Sequence, residues 1–347
     1  MIRVAILGGG IGAQHLAAYQ ELDAFKVTHL ADQDADRRAA LCGNDIVGLT
    51  DIDAALQADV DVIDICLPPH MHAPVAVAAL EAGKHVICEK PLATSMAQVD
   101  AIRDAARKAG KQVFPVFQYR FGPAFDQLNA LRTAGLTGLP RAASIETHWN
   151  RAADYYAIPW RGTWAGEQGG AVLGHAIHAH DLLSHFAAPI HRVTARLGTL
   201  VNPIETEDTA ALIFELVGGA IATSSITLGS ATDETRLRFV YEHLTSTSHT
   251  LPYTPGEGTW TFTARDPNQQ SEVNAVIANL ASRPSGFAGF LSEVAKSLSR
   301  EPNSAVSLED GAASIELVTA IYDSHRSGMP VTLPLGSDHL MHKGWQL

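Results

Sequence analysis

The sequence predicts an α/β fold, with a doubly wound parallel sheet at its N-terminal end followed by an α+β region whose strands run antiparallel. Three observations carry this. A short apolar run, Val4 to Leu7, meets a glycine loop and then at once an apolar helical pattern. Strand and helix patterns alternate from there to about residue 122. Beyond Gly122-Pro123 the crossover helices cease and longer, alternating strands take over. The expected division is therefore 1–122 and 123–347, in keeping with domains of about 100–200 residues.

Composition narrows the function classes. A chain of 347 residues with 46% hydrophobic and 18% charged residues reads as an ordinary folded protein rather than a disordered one. No uninterrupted apolar stretch of about 20 residues is present, which argues against a spanning helix. Met1-Ile2-Arg3 runs straight into a strand without a signal-peptide pattern, so the expected location is the cytoplasm. A net charge of −12 without a Lys/Arg block opposes a nucleic-acid surface. Cys42, Cys66 and Cys88 have neither C-x-x-C spacing nor an even count, which argues against a disulfide framework and a thiolate zinc site.

Val4 to Leu7 suits a parallel strand covered on both faces. In Gly8-Gly9-Gly10-Ile11-Gly12-Ala13, a G-x-G-x-x-G/A loop, Gly8 makes the tight turn and Gly10 lets backbone approach a pyrophosphate. Ala13 permits close helix packing, and Ile11 and Gly12 complete the loop. The helix N-terminus then holds phosphate charge. Strand 26–31 delivers Asp32 to the spacing at which an acid takes the adenosine ribose diol, with a helix cap as the alternative reading. A carboxylate there repels a 2′-phosphate and selects NAD over NADP, although Arg37 and Arg38 soften the discrimination.

Strand 60–66 is followed by Leu67-Pro68-Pro69-His70-Met71-His72, a proline-stiffened loop beside the cofactor, and by a helix over 73–82 that stops at Gly83. His85 to Cys88 then runs into Glu89-Lys90-Pro91. Ligands of open parallel sheets bind beyond the carboxyl ends of the strands, so Lys90 faces a site; taken alone it reads as a solvated surface lysine. Ser95-x-x-Gln98 is a capping box for a helix to about Ala109, and Gln112 to Phe117 closes the sheet, with Pro115 placing it toward an edge.

In the second region Arg141–Trp149, Ala210–Leu216 and Ala220–Leu228 read as antiparallel strands, the last two joined across Gly218-Gly219. Thr245–Thr254 reads as a loop. Gly169 to Leu183 is a helix opened by glycines and rich in histidine, among sixteen histidines in the chain. At 3.6 residues per turn Gly174 and His178 share a face, as do His175 with His178 and His178 with Asp181, while His180 points away. An imidazole near neutrality can take a hydroxyl proton as hydride leaves the same carbon. A metal site from His175, His178 and Asp181 is a competing reading without a standard motif, and His180 alone reads as core or surface.

Taken together, Gly8/Gly10/Ala13, Asp32, Glu89-Lys90-Pro91, Trp160-Arg161, Gly169-Gly170 and His178-x-x-Asp181 resemble the Gfo/Idh/MocA oxidoreductases, the family of glucose-fructose oxidoreductase and inositol dehydrogenase. The tail agrees as well, through Gly286-Phe287, Val306 to Gly311, Ala320 to Ser324 and Val331-x-Leu333-Pro334. The resemblance implies a Rossmann domain followed by a substrate-binding and oligomerisation domain with a large open, mostly antiparallel sheet, in a homo-dimer or homo-tetramer. It implies NAD-dependent hydride transfer with a secondary alcohol of a sugar, glycoside or cyclitol. Lys90 then polarises the hydroxyl and His178 acts as acid/base.

The same resemblance extends the cofactor contacts to Leu67, Pro68, His72, Glu89, Trp160 and Arg161, with Tyr119, Arg120, Trp149 and His175 toward substrate and no metal. Many members carry Asp four residues before the catalytic histidine, where this chain has Gly174; either His175 substitutes for it or the glycine leaves room for substrate or backbone. The Asn common after the fourth strand is also absent, with His70 nearby. Trp149, Tyr155, Tyr156, Trp160 and Trp164 read either as covers for apolar sugar faces or as core. Alternative functions are a cis-dihydrodiol dehydrogenase, a redox-neutral glycoside-processing enzyme with retained NAD, and a nucleotide-sensing regulator without catalysis.

Overall fold

A computed structural model of the chain describes residues 1–346, which divide into two compact units. The first comprises residues 1–118 and 287–315. In chain order it contains β1 (Ile2–Leu7), α1 (Gly9–Gln20), β2 (Phe25–Ala31), α2 (Ala35–Cys42), β3 (Val47–Leu49), α3 (Ile52–Leu56), β4 (Val62–Ile65), α4 (Pro69–Glu81), β5 (His85–Cys88), α5 (Met96–Ala109) and β6 (Val113–Pro115). Its parallel six-stranded sheet has the order β3-β2-β1-β4-β5-β6, the doubly wound arrangement of dinucleotide-binding domains. Leu7 pairs with Ala31 and with Ile65, and Ile65 with Cys88, so the carboxyl ends of β1, β2, β4 and β5 lie side by side. That register gathers Gly8, Asp32, Leu67 and Lys90 along one edge of the sheet.

Local signals account for most of these elements. Ser95 Oγ accepts from Gln98 N at 3.2 Å and Gln98 Oε1 accepts from Thr94 N at 2.9 Å, so the capping pair is reciprocal but reaches one residue further back than a standard box. Gly110 follows α5 in the left-handed conformation that ends helices. Helix α4 starts at Pro69 rather than at residue 73, because proline has no N–H to satisfy at a first helical position. His70 and His72 consequently stand on a helix and not in a loop. β3 and α3 were too short to leave a periodic pattern.

The second unit comprises residues 119–286 and 316–347, as far as the described residues extend. It contains α6 (Pro123–Thr133), β7 (Pro140–Asn150), α7 (Ala153–Tyr156), α8 (Ile177–Phe186), β8 (Ile190–Gly198), β9 (Thr209–Leu216), β10 (Ile221–Thr227), β11 (Gly229–Tyr241), β12 (Leu244–Thr247), β13 (Thr261–Ala264) and α9 (Gln270–Ala278). Helix α10 (Gly286–Leu298) belongs to the first unit from Phe287 on; α11 (Leu308–Ser327) runs from the first into the second, which β14 (Val331–Thr332) completes. The eight-stranded sheet has the order β13-β12-β11-β7-β10-β9-β8-β14. The hairpin β9–β10 turns on Gly218 and Gly219, both at positive φ, as expected.

Two strand expectations change. β7 pairs with β10 in parallel, since β9 and β10 stand between β7 and β8, the next strand in sequence, and β12 occupies part of the stretch read as a loop. Residues 287–315 cluster with the first unit, whereas the sequence division assigns them to the second. Phe287 packs its ring 4.5 Å from that of His15, and Arg103 pairs with Glu309 through two hydrogen bonds of 3.0 and 2.8 Å. No helix among the described residues is long and apolar enough to cross a membrane. Replacing Ser95 with Ala is expected to lower unfolding free energy by about 1 kcal/mol, read from the urea midpoint at constant slope.

Candidate functional site

In the first unit the glycine loop and Asp32 form one hydrogen-bonded cluster. Gly8 has φ +93° and a Cβ there would stand 2.4 Å from the Cys66 carbonyl oxygen, so only glycine makes this turn. A Cβ on Gly10 would meet nothing within 4 Å, which leaves the backbone open to a close ligand. Close packing of α1 on β1 falls to Gly12, whose Cβ would lie 2.8 Å from Ile6 Cγ2; Ala13, assigned that part from the motif, is half-buried. Ile11 is 37% exposed on the first turn of α1. The Asp32 carboxylate accepts from Gly9 N at 2.6 Å, Asp34 N at 2.8 Å and Arg37 Nη1 at 2.9 Å. Burial alone would raise its pKa, but these backbone bonds and Arg37 hold it below the usual carboxylate value. Asp34, not Asp32, caps α2.

Beneath this loop lies a buried ionic network. His15 Nδ1 is 2.8 Å from Asp64 Oδ2 and its Nε2 is 3.1 Å from Glu89 Oε1. Tyr19 donates to Asp64 Oδ2 at 2.9 Å, and Lys90 N donates to Glu89 Oε2 at 3.0 Å. Burial opposes a charge on His15, yet the facing Asp64 raises its pKa well above the ordinary value. Glu89, which burial would raise, is drawn below its ordinary value by His15 and then Lys90. Cys66, pushed up to about 12 chiefly by burial and then by Asp64, stays a neutral thiol. His72 is buried with ring nitrogens 2.6 Å from the carbonyl oxygens of Pro91 and Leu67, so it braces the Leu67-Pro68 turn against the end of the Glu89-Lys90-Pro91 segment. Burial lowers its pKa despite those bonds.

In the second unit the histidine helix opens with a π turn, Val172–Ala176, and continues as α8. Its start is held by Glu207, which accepts from Val172 N at 3.0 Å, Gly170 N at 3.2 Å and Tyr322 OH at 2.8 Å. A Cβ on Gly170 would fall 2.0 Å from the Glu207 backbone oxygen, which explains one glycine of the pair. Burial pushes the Glu207 carboxyl up to about 7 against those hydrogen bonds. The buried His178 ring stacks on Tyr119 with centroids 4.1 Å apart and planes 14° from parallel. His175, also buried, meets Trp149 edge-on at 5.4 Å and Tyr155 at 5.7 Å.

One turn beyond His178, Asp181 accepts from Arg120 Nε at 2.8 Å and Nη2 at 2.5 Å. Through this buried bidentate pair Arg120, a residue expected toward substrate, anchors the helix, and Asp181, weighed as a metal ligand, gives its carboxylate to that arginine. His180 is a core residue: its Nε2 lies 3.0 Å from Ser224 Oγ, and burial takes its pKa down to about 3. Trp149 donates to Thr235 Oγ1 at 3.1 Å, and the Arg151 guanidinium lies 5.0 Å from its ring centroid. The Arg161 guanidinium covers the Tyr155 ring at 3.8 Å, with half-buried Trp160 beside it.

Residues 2–117 match the family model described as the oxidoreductase family with an NAD-binding Rossmann fold, and residues 125–245 match the GFO/IDH/MocA C-terminal domain. The chain belongs to the Gfo/Idh/MocA oxidoreductase family. Among curated relatives of this oxidoreductase, the 4-carboxy-2-hydroxymuconate-6-semialdehyde dehydrogenase of Sphingobium sp. (strain NBRC 103272 / SYK-6) is 26% identical over 234 residues, 66% of this chain and 73% of that one. The levoglucosan dehydrogenase of Pseudarthrobacter phenanthrenivorans is 29% identical over 227 residues, 61% of this chain but only 58% of the relative. Among solved structures, the WlbA dehydrogenase of Bordetella pertussis in complex with NADH and UDP-GlcNAcA superposes with a TM-score of 0.84 at 26% identity, covering 96% of this chain and 99% of that one.

The Gfo/Idh/MocA chain is an NAD-dependent oxidoreductase, and its first unit fits the cofactor. The open backbone at Gly10 on a helix N-terminus would hold the phosphates of the dinucleotide, and the Asp32 carboxylate fixed at the loop would accept from its ribose. Sequence reasoning missed His15, Asp64 and Glu207; the one signal was a charged residue inside the apolar run Val62-Ile63-Asp64-Ile65. Asp32→Ala is expected to raise the NADH dissociation constant about tenfold or more, measured by fluorescence titration. His15→Gln removes a cation between two buried carboxylates and is expected to cost about 3–5 kcal/mol at neutral pH. Because the native His15 pKa is raised above 6.5, its stabilisation is complete below that pH and is lost as pH rises through the native value. Urea unfolding across a pH series should therefore show the gap between wild type and His15→Gln narrowing on the alkaline side.

Proposed function

We propose that this oxidoreductase oxidises a secondary alcohol of a sugar, glycoside or cyclitol, with Lys90 polarising the hydroxyl and His178 taking its proton. The reading is carried by His178, an imidazole held by the Tyr119 stack on its face and by the Arg120–Asp181 pair one turn further along α8. A histidine so oriented suits proton transfer from a substrate hydroxyl. Lys90 stands at the carboxyl end of β5, where ligands of such sheets bind, with its backbone N–H held by Glu89.

NAD supplies the hydride acceptor. As the carbon–hydrogen bond gives up its electron pair with the hydrogen, the hydroxyl proton passes to His178 and a carbonyl forms. The Lys90 ammonium donates a hydrogen bond to the reacting oxygen and stabilises its developing negative charge. Two relatives support a sugar-like substrate, one named for levoglucosan and one complexed with UDP-GlcNAcA. Trp149, packed edge-on against His175, suits the apolar face of a sugar ring beside the histidines.

NADH formation with a panel of levoglucosan, myo-inositol, methyl glucosides and UDP-sugars tests the proposal. Turnover is expected on at least one member, with Lys90→Ala and His178→Ala each lowering kcat at least about tenfold. A panel without turnover, or either variant retaining the wild-type rate, would overturn the assignment.

A further inference from the structure

We infer that Glu167 supplies the acidic group of the histidine helix, its carboxylate reaching over Gly174 to stabilise the positive charge that forms on His178 as it takes the substrate hydroxyl proton. The inference rests on the function proposed above and adds a residue to it. A Cβ built on Gly174 would lie 3.4 Å from Glu167 Oε1, so the space that a side chain at 174 would enter is already met by a carboxylate oxygen. Gly174 directly precedes His175 and stands four residues before His178. The glycine therefore does not leave the helix without an acid; it leaves room for one that arrives from the preceding loop.

That loop is built to deliver it. Glu167 is only 6% exposed, and its Oε2 accepts from Gly162 N at 2.6 Å. Gly166 passes so close to Trp160 that a Cβ would stand 2.5 Å from the Trp160 backbone oxygen. Thr163 Oγ1 donates to that same oxygen at 2.9 Å and accepts from Gly166 N at 3.1 Å. Gln168, next in the chain, takes φ 59°, a conformation that side chains other than glycine rarely adopt. With Oε2 tethered, the carboxylate cannot swing freely, which fixes Oε1 toward the helix. Its charge reaches the same aromatic group that surrounds His175: the Tyr155 phenol is raised first by burial and next by Glu167.

A carboxylate in this place leaves the hydroxyl hydrogen to His178 and favours the imidazolium that forms as the proton moves. It also accounts for Gly174 chemically, since an acid there would set two carboxylates against each other.

The test uses the full-length enzyme with NAD and the most active alcohol of the panel. Glu167→Gln keeps an oxygen for Gly162 N, so its melting temperature and NADH affinity are expected to stay at wild-type values while kcat falls at least about tenfold. Gly174→Asp alone is expected to slow turnover, and Glu167→Gln combined with Gly174→Asp to recover to within about threefold of wild type, because the acid has moved to the helix. If the double variant melts below Glu167→Gln, Glu167→Asp replaces it and must retain more turnover than Glu167→Gln. A rate for Glu167→Gln within about twofold of wild type, or no recovery with the acid restored, overturns the inference. A slow His178→Ala beside a fast Glu167→Gln removes Glu167 alone; a fast His178→Ala, or no turnover on the whole panel, removes the underlying function as well.

Discussion

The His15 side chain, buried between Asp64 and Glu89, is the interaction on which the first unit depends. Three ionisable groups away from water are stable only when each is answered, and here His15 meets both carboxylates, Tyr19 donates to Asp64, and the Lys90 backbone N–H donates to Glu89. The consequence is geometric. His15 lies on α1, just after the glycine loop, Asp64 on β4, and Glu89 at the end of β5, so one imidazole ties the nucleotide loop to the strand end that carries Lys90. Phe287 lies against its ring, which gives residues 287–315 a physical reason to fold with residues far earlier in the chain.

The second unit solves a comparable problem by different means. Its histidine helix must hold two imidazoles in fixed orientation while burying nearly every side chain from Ala171 to Leu183. Glu207 satisfies backbone donors at the start, and Arg120 pins Asp181 near the end. Between these anchors the π turn shifts the face on which His175 appears, and aromatic rings take up the imidazole faces. Polar groups that each cost free energy to bury become, in combination, the reason that the helix has one position.

Much of this was legible in the sequence, because the signals were local. The glycine loop, the Asp32 position, the Ser95 cap and the Gly218-Gly219 hairpin are each set by residues within a few positions of one another, where backbone geometry leaves few choices. What was not legible has a cause of the opposite kind. The bidentate partner of Arg120 lies 61 residues away, and the Pro91 carbonyl against which His72 packs is 19 residues distant. Gly12 rather than Ala13 packs on β1 because α1 begins already at Gly9, a matter of where the helix starts rather than of which residues follow.

By itself, then, the sequence determined the order of strands and helices in the first unit, the nucleotide loop and its accompanying acid, the charged end of β5 and the run of histidines, since each follows from chain stiffness and periodicity over short spans. Tertiary structure decided which charges face each other: His15 with Asp64 and Glu89, Arg120 with Asp181, Glu207 with the backbone of Gly170 and Val172. It also brought Glu167 over Gly174, seven residues on, through a turn that no periodic pattern announces. Buried charge is tolerated only where folding brings its partner, and the identity of that partner is a property of three-dimensional packing, not of neighbouring sequence.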